Sequence, residues 1–423
     1  MNNVPELRTN GAKTVKAICF PRADGSRIPY EVYSSPQIYE LELERIFRGP
    51  TWSFVALEAE VPNPGDFKST FVGATPVVVT RNEHGSLSVW VNRCAHRGAR
   101  VCREAHGNAR THICVYHQWS YDTRGNLRGV PFRRGLKDSP GMPADFDPKE
   151  HGLQQLRVES YRGLVFATFS EQTPPLDAYL GSQMIRGLDR IFHKPIVYLG
   201  CTRQYSQSNW KLYSENVRDP YHASLLHAFL STFNLQRAGM RFEIVGSDNG
   251  LHDCLTSFHT EDASGGAAYK EGGISSFKEG LRLEDPSILA QMKEFAEPVN
   301  IQIQPLFPQA VVQQIQNSLA VRQLLPKGPA NFELIFYFFG YTDDTPEMRA
   351  HRIKQANLVG PAGLISMEDT FATELVQCAT KGSGASAIAD MGRDAPDMQH
   401  MRSGISEHWI RAFWRAYQEL MEL

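Results

Sequence analysis

Two cysteine–histidine pairs constrain this chain more than any other feature of its sequence. The first is Cys94-x-His96 and the second is Cys114-x-x-His117, with 17 residues between them. Zinc fingers usually place both cysteines before both histidines. The alternating order here instead predicts two loops that each present one thiolate and one imidazole. That donor set is typical of a 2Fe–2S cluster in which one iron takes two cysteines and the other takes two histidines.

The residues around these pairs carry a specific resemblance. The run from Asn92 to Trp119 reads N-R-C-A-H-R-G-A…C-V-Y-H-Q-W, and it resembles the Rieske domain in the large (alpha) subunit of aromatic-ring-hydroxylating oxygenases. Respiratory Rieske proteins carry an additional cysteine in each cluster loop, and neither loop has one here. The resemblance implies a 2Fe–2S cluster held by the four side chains of the two pairs. A structural zinc site is the alternative, and it predicts a colourless protein.

Length and composition set the broad class of protein. The chain has 423 residues, 42% hydrophobic and 21% charged, with a formal net charge of −2. The length fits two or three domains of a globular protein. The charge offers no electrostatic case for nucleic acid or an anionic membrane, and no apolar run is long enough to predict a membrane span. The first residues have no apolar signal core and the seven cysteines do not make a disulfide scaffold, so we expect a cytoplasmic protein with reduced thiols.

The apolar patterns, with the resemblance, predict an α+β protein in three parts. Residues 1–48 form an N-terminal segment, helical over 36–48, that we expect to pack on the catalytic domain. Residues 49–172 predict an antiparallel β Rieske domain that contains both cluster loops. Residues 173–423 predict a catalytic domain with an antiparallel sheet covered by helices. The apolar runs that we interpret as strands are 52–57, 71–79, 87–91, 309–316 and 332–339.

Two further segments have a predicted conformation. Residues 406–423 predict an amphipathic helix with Ser406 as its N-cap. Residues 262–276 are rich in small residues, and they predict either a mobile lid near the active site or a plain surface loop. The apolar face of the C-terminal helix is formed by Trp409, Ile410, Phe413, Trp414, Tyr417, Leu420 and Met421.

A second metal site is indicated by two histidines further along the chain. His222 and His227 are five residues apart, which on a regular helix places them about 140° apart, so a bulge or a helix end must bring both imidazoles to one metal. A cluster that delivers single electrons needs an acceptor, and Fe(II) held by two histidines and one carboxylate leaves positions open for dioxygen. By resemblance the carboxylate comes from Asp369, with the adjacent Glu368 as the alternative.

The resemblance implies roles for two residues close to His222. Asp219 would link a cluster histidine of one subunit to an iron-bound histidine of the next, fixing the histidine tautomer and shortening the electron path. A turn acid before Pro220 is a compatible interpretation of Asp219. Asn216 also fits the family pattern near the iron.

Three runs of sequence indicate which branch of the family this chain resembles. E-N-V-R-D-P-Y-H-A-S-L-L-H, Q-N-S-L-A-V-R-Q-L-L-P-K-G and K-Q-A-N-L-V-G-P-A-G resemble the branch that acts on aromatic acids. An aromatic carboxylate needs a cation in an otherwise apolar pocket. Arg322 is the candidate, and a salt-bridged strand arginine is the alternative. Arg402 is out of register with the second arginine of terephthalate relatives, which favours a substrate with one carboxylate.

The expected reaction is the dioxygenation of anthranilate to catechol, carbon dioxide and ammonia. Salicylate hydroxylation and the dioxygenation of 2-halobenzoate or terephthalate are the alternatives within the family. The resemblance implies that electrons from NAD(P)H reach the cluster through a reductase and a ferredoxin. Transfer across a subunit boundary requires an oligomer, expected as a homotrimer of large subunits (alpha3), or alpha3beta3 with small (beta) subunits. An electron-transfer Rieske protein without oxygenase activity is the alternative from another class.

Overall fold

Two compact units make up the part of the chain that the computed structural model describes. The described residues are 6–8, 14–16, 18–237, 239–259, 266–360, 363–394, 400–402 and 404–423. One unit is Phe47–Leu176, and the other combines the described residues of Met1–Ile46 and Asp177–Leu423. The strand pairs are antiparallel throughout both units. The predicted α+β class with antiparallel sheets is therefore confirmed.

The N-terminal part contributes short strands and one helix to the larger unit. Helix α1 (Pro36–Glu42) begins after Ser35, whose hydroxyl accepts a hydrogen bond from the backbone N–H of Ile38. It continues as a π-helical turn over Leu43–Phe47, so the predicted helix is present. Three strands precede it, and they are β1 (Glu6–Arg8), β2 (Thr14–Lys16) and β3 (Arg27–Pro29).

The smaller unit is built from two antiparallel sheets. Its ten strands are β4 (Ser53–Leu57), β5 (Asp66–Val72), β6 (Thr75–Arg81), β7 (Leu87–Val91), β8 (His106–Asn108), β9 (Thr111–Ile113), β10 (Ser120–Asp122), β11 (Leu127–Gly129), β12 (Gln155–Tyr161) and β13 (Leu164–Thr168). One sheet has the order β4-β13-β12-β7-β6-β5-β8 and the other has the order β11-β10-β9. The prediction of a single strand over 71–79 is wrong, because Gly73 (φ 54°) takes the left-handed conformation of a turn and separates β5 from β6.

The larger unit is organised around one eight-stranded sheet. After α2 (Leu176–Ile191), its elements are β14 (Ile196–Ser206), α3 (Trp210–Asn216), α4 (Pro220–Leu226), α5 (Ala228–Thr232), β15 (Phe242–Gly246), β16 (Asp253–Phe258), α6 (Ala267–Glu271), β17 (Val299–Leu306), β18 (Ala310–Ile315), β19 (Ser318–Gly328), β20 (Asn331–Tyr341), α7 (Pro346–Val359), α8 (Leu364–Thr380), β21 (Ser386–Ile388), β22 (His400–Met401) and α9 (His408–Met421). The sheet has the order β14-β20-β19-β18-β17-β16-β15-β22. Strands β18 and β20 cover the predicted strands at 309–316 and 332–339. The small-residue segment 262–276 lies partly outside the described residues, and its described part contains α6.

Helix α9 confirms the predicted C-terminal helix with one correction. It begins two residues after Ser406, and Glu407 occupies the N-cap position. The prediction of Ser406 as N-cap is wrong, although its hydroxyl still accepts a hydrogen bond from the backbone N–H of His408 at 3.1 Å. Six residues of the predicted apolar face are buried, and Leu420 is partly exposed.

A buried polar network ties the N-terminal segment to this unit. Glu42 at the end of α1 accepts hydrogen bonds from Lys211 (2.5 Å), from the indole of Trp210 (2.8 Å) and from the hydroxyl of Tyr417 (2.6 Å). The carboxylate and the ammonium are both fully buried, so each requires the other to offset the loss of water. Because Lys211 and Trp210 begin α3, the network holds the helix that ends at Asn216. Among the described helices, none has both the length and the apolar character that crossing a membrane requires.

Candidate active site

Both cluster loops have the same backbone construction despite their different spacing. In the first, the N–H of Cys94 donates to the carbonyl of Ala99 (2.8 Å) and the N–H of Gly98 donates to the carbonyl of Cys94 (2.9 Å). In the second, the N–H of Cys114 donates to the carbonyl of Trp119 (2.9 Å) and the N–H of Gln118 donates to the carbonyl of Cys114 (2.9 Å). Gly98 (φ 74°) and Gln118 (φ 56°) both take the left-handed conformation that turns each loop back.

The donor atoms of these loops separate into a thiol pair and an imidazole pair. Cys94 and Cys114 are buried, whereas His96 and His117 are partly exposed, with their ring centroids 4.5 Å apart. The Nδ1 atom of His96 is buried without a hydrogen-bond partner, as expected for a ligand atom. Two thiols and two imidazoles in separate pairs fit a 2Fe–2S cluster, whose two irons take different ligands. A single zinc ion would need all four donors to converge on one point.

A tyrosine hydroxyl lies next to the first thiol. The Tyr121 oxygen accepts the backbone N–H of Ala95 (3.1 Å) and lies 3.2 Å from Sγ of Cys94. Since its oxygen already accepts from Ala95, its proton is available to the sulfur. Burial raises the pKa of the Cys94 thiol. A thiolate at this position therefore requires a nearby positive charge, which a bound metal would supply.

The end of helix α4 brings the imidazoles of His222 and His227 together. Helix α4 ends at Leu226, and His227 leaves it with extended backbone angles (φ −86°, ψ 98°). Nε2 of His222 lies 3.3 Å and Nε2 of His227 lies 3.1 Å from the same carboxylate oxygen of Asp369 on α8. One donor atom from each of the three side chains lies within 4.8 Å of the other two. This donor set fits a non-haem iron with open coordination positions.

The charges in this cluster are arranged for a cation. Burial by itself lowers the pKa of His222, but its contacts with Asp219 and Asp369 raise that pKa to about 10. Burial would raise the pKa of Asp369, but His227 and His222 hold it well below its ordinary value. A divalent cation would take the place of the imidazolium protons, because imidazole ligates metal in its neutral form.

Two polar residues flank His222 as the sequence predicts. The amide of Asn216 donates to Asp369 (3.0 Å) and lies 3.2 Å from Nε2 of His222. Asp219 uses one carboxylate oxygen to cap α4, accepting from the N–H of Tyr221 at 2.9 Å. Its other oxygen lies 3.3 Å from Nδ1 of His222. Asp219 is therefore a turn acid that also lies beside the imidazole of His222, and its link to a second subunit stays a prediction.

The adjacent acids on α8 lie against opposite sides of one imidazole. Glu368 lies 2.8 Å from Nδ1 of His227, whereas Asp369 faces Nε2 of the same ring. Only Asp369 faces both Nε2 atoms of the cluster. The sequence alone left Glu368 as an alternative ligand, and the geometry favours Asp369.

A largely apolar cavity opens beside the cluster. Arg322 lines it from β19 and is 5% exposed. Its guanidinium donates to the Tyr213 hydroxyl (2.8 Å) and to Gln313, and it has no carboxylate partner within the described part of the chain. The salt-bridged alternative therefore has no support, and Arg402 is exposed and does not line the cavity. The apolar lining residues are Val217, Pro220, Ala223, Leu230, Leu255, Ile301, Ile303, Ile315 and Ile365.

Sequence reasoning missed two residues of this cavity region. Gln236 lines the cavity from the segment after α5, and Tyr213 orients Arg322 from α3. Gln236 lies in no recognisable motif, so the sequence carried no signal for it. Tyr213 lies in the same run as Asn216, and only its spacing before that residue could have suggested a role.

Two protein-family models match this chain, one in each compact unit. The chain matches the Rieske [2Fe-2S] domain over residues 51–140 and the catalytic domain of the ring-hydroxylating alpha subunit over residues 197–423. This chain belongs to the large subunits of Rieske-type ring-hydroxylating oxygenases. The resemblance inferred from the sequence is confirmed, and the catalytic-domain match favours an oxygenase over an electron-transfer protein or a zinc-binding module.

Several relatives of this oxygenase subunit are similar over nearly their full length. It is 65% identical over 404 residues to the anthranilate 1,2-dioxygenase large subunit of Burkholderia cepacia, covering 95% of each chain. It is 43% identical over 400 residues to the terephthalate 1,2-dioxygenase terminal oxygenase component subunit alpha 2 of Comamonas sp, covering 94% of this chain and 96% of the relative. It is 38% identical over 411 residues to the salicylate 5-hydroxylase large oxygenase component of Ralstonia sp, covering 95% and 96%.

A solved structure supports the fold of this oxygenase subunit. Naphthalene 1,2-dioxygenase from Rhodococcus sp. superposes with a TM-score of 0.77 at 21% identity, covering 93% of this chain and 94% of that one. The protein is an oxidoreductase with a Rieske 2Fe–2S domain, of a family that uses mononuclear iron and electrons from NAD(P)H through a reductase. Members of the family are multimeric oxygenase components with ferredoxin or reductase partners.

Proposed function

We propose that this chain is the large subunit of an anthranilate 1,2-dioxygenase, which converts anthranilate, dioxygen, two electrons and protons from water to catechol, carbon dioxide and ammonia. The observation that carries the proposal is the buried Arg322 guanidinium, without a carboxylate partner among the described residues, in the apolar cavity that also contains His222, His227 and Asp369. A relative with 65% identity bears the name of this activity.

We assign the metal centres to the two donor sets described above. Cys94, His96, Cys114 and His117 would hold the 2Fe–2S cluster, and His222, His227 and Asp369 would hold the mononuclear Fe(II). When bound, these groups supply the single-electron transfers and the reduction of dioxygen. Residues 49–172 would act as the Rieske domain and 173–423 as the catalytic domain, with 1–48 packed on the latter. The separate units and the Glu42–Lys211 network support this division.

The carboxylates around the histidines prepare them as ligands. Asp219 faces Nδ1 of His222 and Glu368 faces Nδ1 of His227. Each carboxylate favours a proton on Nδ1, which leaves the lone pair of Nε2 directed towards Asp369. The Asn216 amide holds Asp369 in place by donating to its carboxylate.

Arg322 would anchor the substrate carboxylate. Gln313 accepts a hydrogen bond from Nε of the guanidinium and Tyr213 accepts one from Nη1, and together they fix its orientation. Its remaining terminal nitrogen, Nη2, makes no hydrogen bond within the described residues. The apolar lining would hold the ring and exclude water, so that the charge–charge contact is strong.

The partners follow from the same assignment. We propose a homotrimer of large subunits, alpha3 or alpha3beta3 with small (beta) subunits, in which Asp219 connects the iron of one subunit with the cluster of another. Electrons from NAD(P)H would arrive through a reductase and a ferredoxin. The seven cysteines form no disulfide within the described residues, which supports a reducing compartment such as the cytoplasm.

A single turnover tests the proposed reaction. Chemically reduced, iron-replete enzyme receives oxygen with anthranilate, salicylate, benzoate or 2-chlorobenzoate, and the products are identified by mass spectrometry with an ammonia assay. We expect catechol with stoichiometric ammonia from anthranilate. A hydroxylated salicylate with no product from anthranilate would move the enzyme to monooxygenase chemistry. No product from any of these acids, with an intact Rieske spectrum and the small subunit present, would reject these four acids as substrates.

A further inference from the structure

The cavity beside the metal cluster contains a second buried polar side chain that the mechanism does not use. Gln236 is 4% exposed and lines the cavity, and its side-chain amide makes no hydrogen bond within the described part of the chain. A buried amide without a partner destabilises a protein unless a ligand or a water supplies one. Among the described residues that line this cavity, Gln236 is the one polar side chain that remains when Arg322 and the residues around the metal cluster are set aside.

The backbone holds Gln236 in a defined position. Its N–H donates to the carbonyl of Leu230 at 3.2 Å. The next residue, Arg237, donates from its side chain to the carbonyl of Ser231 at 2.7 Å. The backbone of the segment is therefore held against α5, and Gln236 lines the cavity from this position.

We infer that Gln236 accepts a hydrogen bond from the amino group of an ortho-aminobenzoate whose carboxylate is bound by Arg322. The inference rests on the proposed function and adds the residue that selects the substituent. The side-chain oxygen of Gln236 is the acceptor and the aromatic amine is the donor. The remaining wall is apolar, and it offers the substituent no other donor or acceptor away from the metal cluster.

The number of protons on the substituent explains the selection. In anthranilate, one amino N–H bonds to the adjacent carboxylate and the second N–H remains for Gln236. In salicylate the single hydroxyl proton is taken by its own carboxylate, and a halogen substituent has no proton to donate. Benzoate leaves the amide of Gln236 unpaired in the cavity. The site would therefore favour the amine over the hydroxyl, the halogen and hydrogen.

Substitution of Gln236 by methionine tests this inference. Methionine has a similar length and makes no comparable hydrogen bond. Binding of anthranilate and benzoate to the anaerobic, iron-replete holoenzyme is measured by titration calorimetry. For Gln236→Met we expect the Kd of anthranilate to rise about tenfold and that of benzoate to change by less than about twofold. Gln183→Met is the matched control, because Gln183 lines a separate cavity, and it should leave both Kd values unchanged.

A second variant separates the hydrogen bond from a general disturbance of the cavity. Gln236→Glu retains an acceptor oxygen, so the preference for anthranilate over benzoate should persist even where both acids bind more weakly. Cluster absorbance and iron content establish that each variant is intact. Equal weakening of both acids by Gln236→Met, or no change in either, would overturn the inference. A wild-type enzyme that binds anthranilate tightly yet forms no catechol would instead overturn the proposed function.

Discussion

Glu368 accepts a hydrogen bond from Nδ1 of His227 at 2.8 Å, while its neighbour Asp369 faces Nε2 of the same imidazole at 3.1 Å. Removing Glu368 frees the ring to rotate and to move its proton, so we expect Glu368→Ala to weaken Fe(II) binding roughly 10- to 100-fold. Iron retention against a chelator measures this. Glu368→Gln should bind iron with intermediate affinity, because its amide oxygen still accepts. Glu374→Ala, on the same helix but bonded to the N–H of Gln207, should retain wild-type affinity.

Loss of a proposed ligand should separate the two metal centres. We expect His222→Ala to lose about one iron per chain while the Rieske absorbance remains, because the cluster donors lie in the other compact unit. Iron analysis with visible spectroscopy measures both. Parallel loss of absorbance and mononuclear iron would show that the protein had unfolded or that the assignment is wrong.

Asp219 caps α4 and has a proposed role in electron transfer, and asparagine can separate the two. Asparagine is an equally good N-cap, so Asp219→Asn should keep α4, both metal centres and the melting temperature. The charge beside Nδ1 of His222 is lost, and we expect turnover coupled to substrate oxidation to be lost with it. Asp147→Asn removes the charge from another capping aspartate that precedes a proline, and it should leave turnover unchanged. Normal coupled turnover by Asp219→Asn would contradict a role in electron transfer.

Arg322 should matter for substrate binding and little for stability. Its guanidinium has no ionic partner among the described residues, so Arg322→Met leaves no unpaired buried charge. We expect KM for anthranilate to rise roughly 10- to 100-fold, with a small change in the melting temperature, because removing a buried charge offsets the loss of the donor to Tyr213 and Gln313. Steady-state kinetics with the reductase measure the first effect and a thermal melt the second. Arg190→Met, which removes an arginine stacked on Phe295 in a separate cavity, is the matched control, and an unchanged KM in Arg322→Met would reject the anchor.

The buried carboxyl of Glu215 should make stability depend on pH. Burial raises its pKa from an ordinary value of 4.5 to about 8, despite the hydrogen bond from Tyr33 and the charge of Lys211. The folded state therefore holds a proton that the unfolded state releases between these two values, and stability falls as pH rises through this window. Glu215→Gln keeps the shape and cannot ionise.

We therefore expect the stability of Glu215→Gln relative to wild type to grow between pH 5 and pH 8, by at most about 1.4 kcal/mol per pH unit. Urea unfolding at several pH values measures the difference. Parallel pH profiles for the two proteins would mean that Glu215 does not titrate in this range.

Short-range sequence patterns were sufficient to predict several helices and strands. The apolar run of β7 and the apolar spacing of α9 depend on neighbouring residues, and both elements are present where the sequence predicts them. The strand predicted across Gly73 and the cap predicted at Ser406 fail for local reasons. A glycine turn interrupts an apolar run in the first case, and the helix begins later in the second.

The sequence by itself determined the family and indicated the four cluster donors, because the ligand types and their spacing there are local properties of two short loops. Tertiary structure alone decided that Asp369, and not the adjacent Glu368, faces the Nε2 atoms of both histidines. Neighbouring residues on a helix point about 100° apart, so the rotation of α8 against the rest of the unit makes that choice. It also decided that Gln236, Arg322 and Asp369 line one cavity. These residues are distant in sequence, and only the packing of the helices on the sheet brings them together.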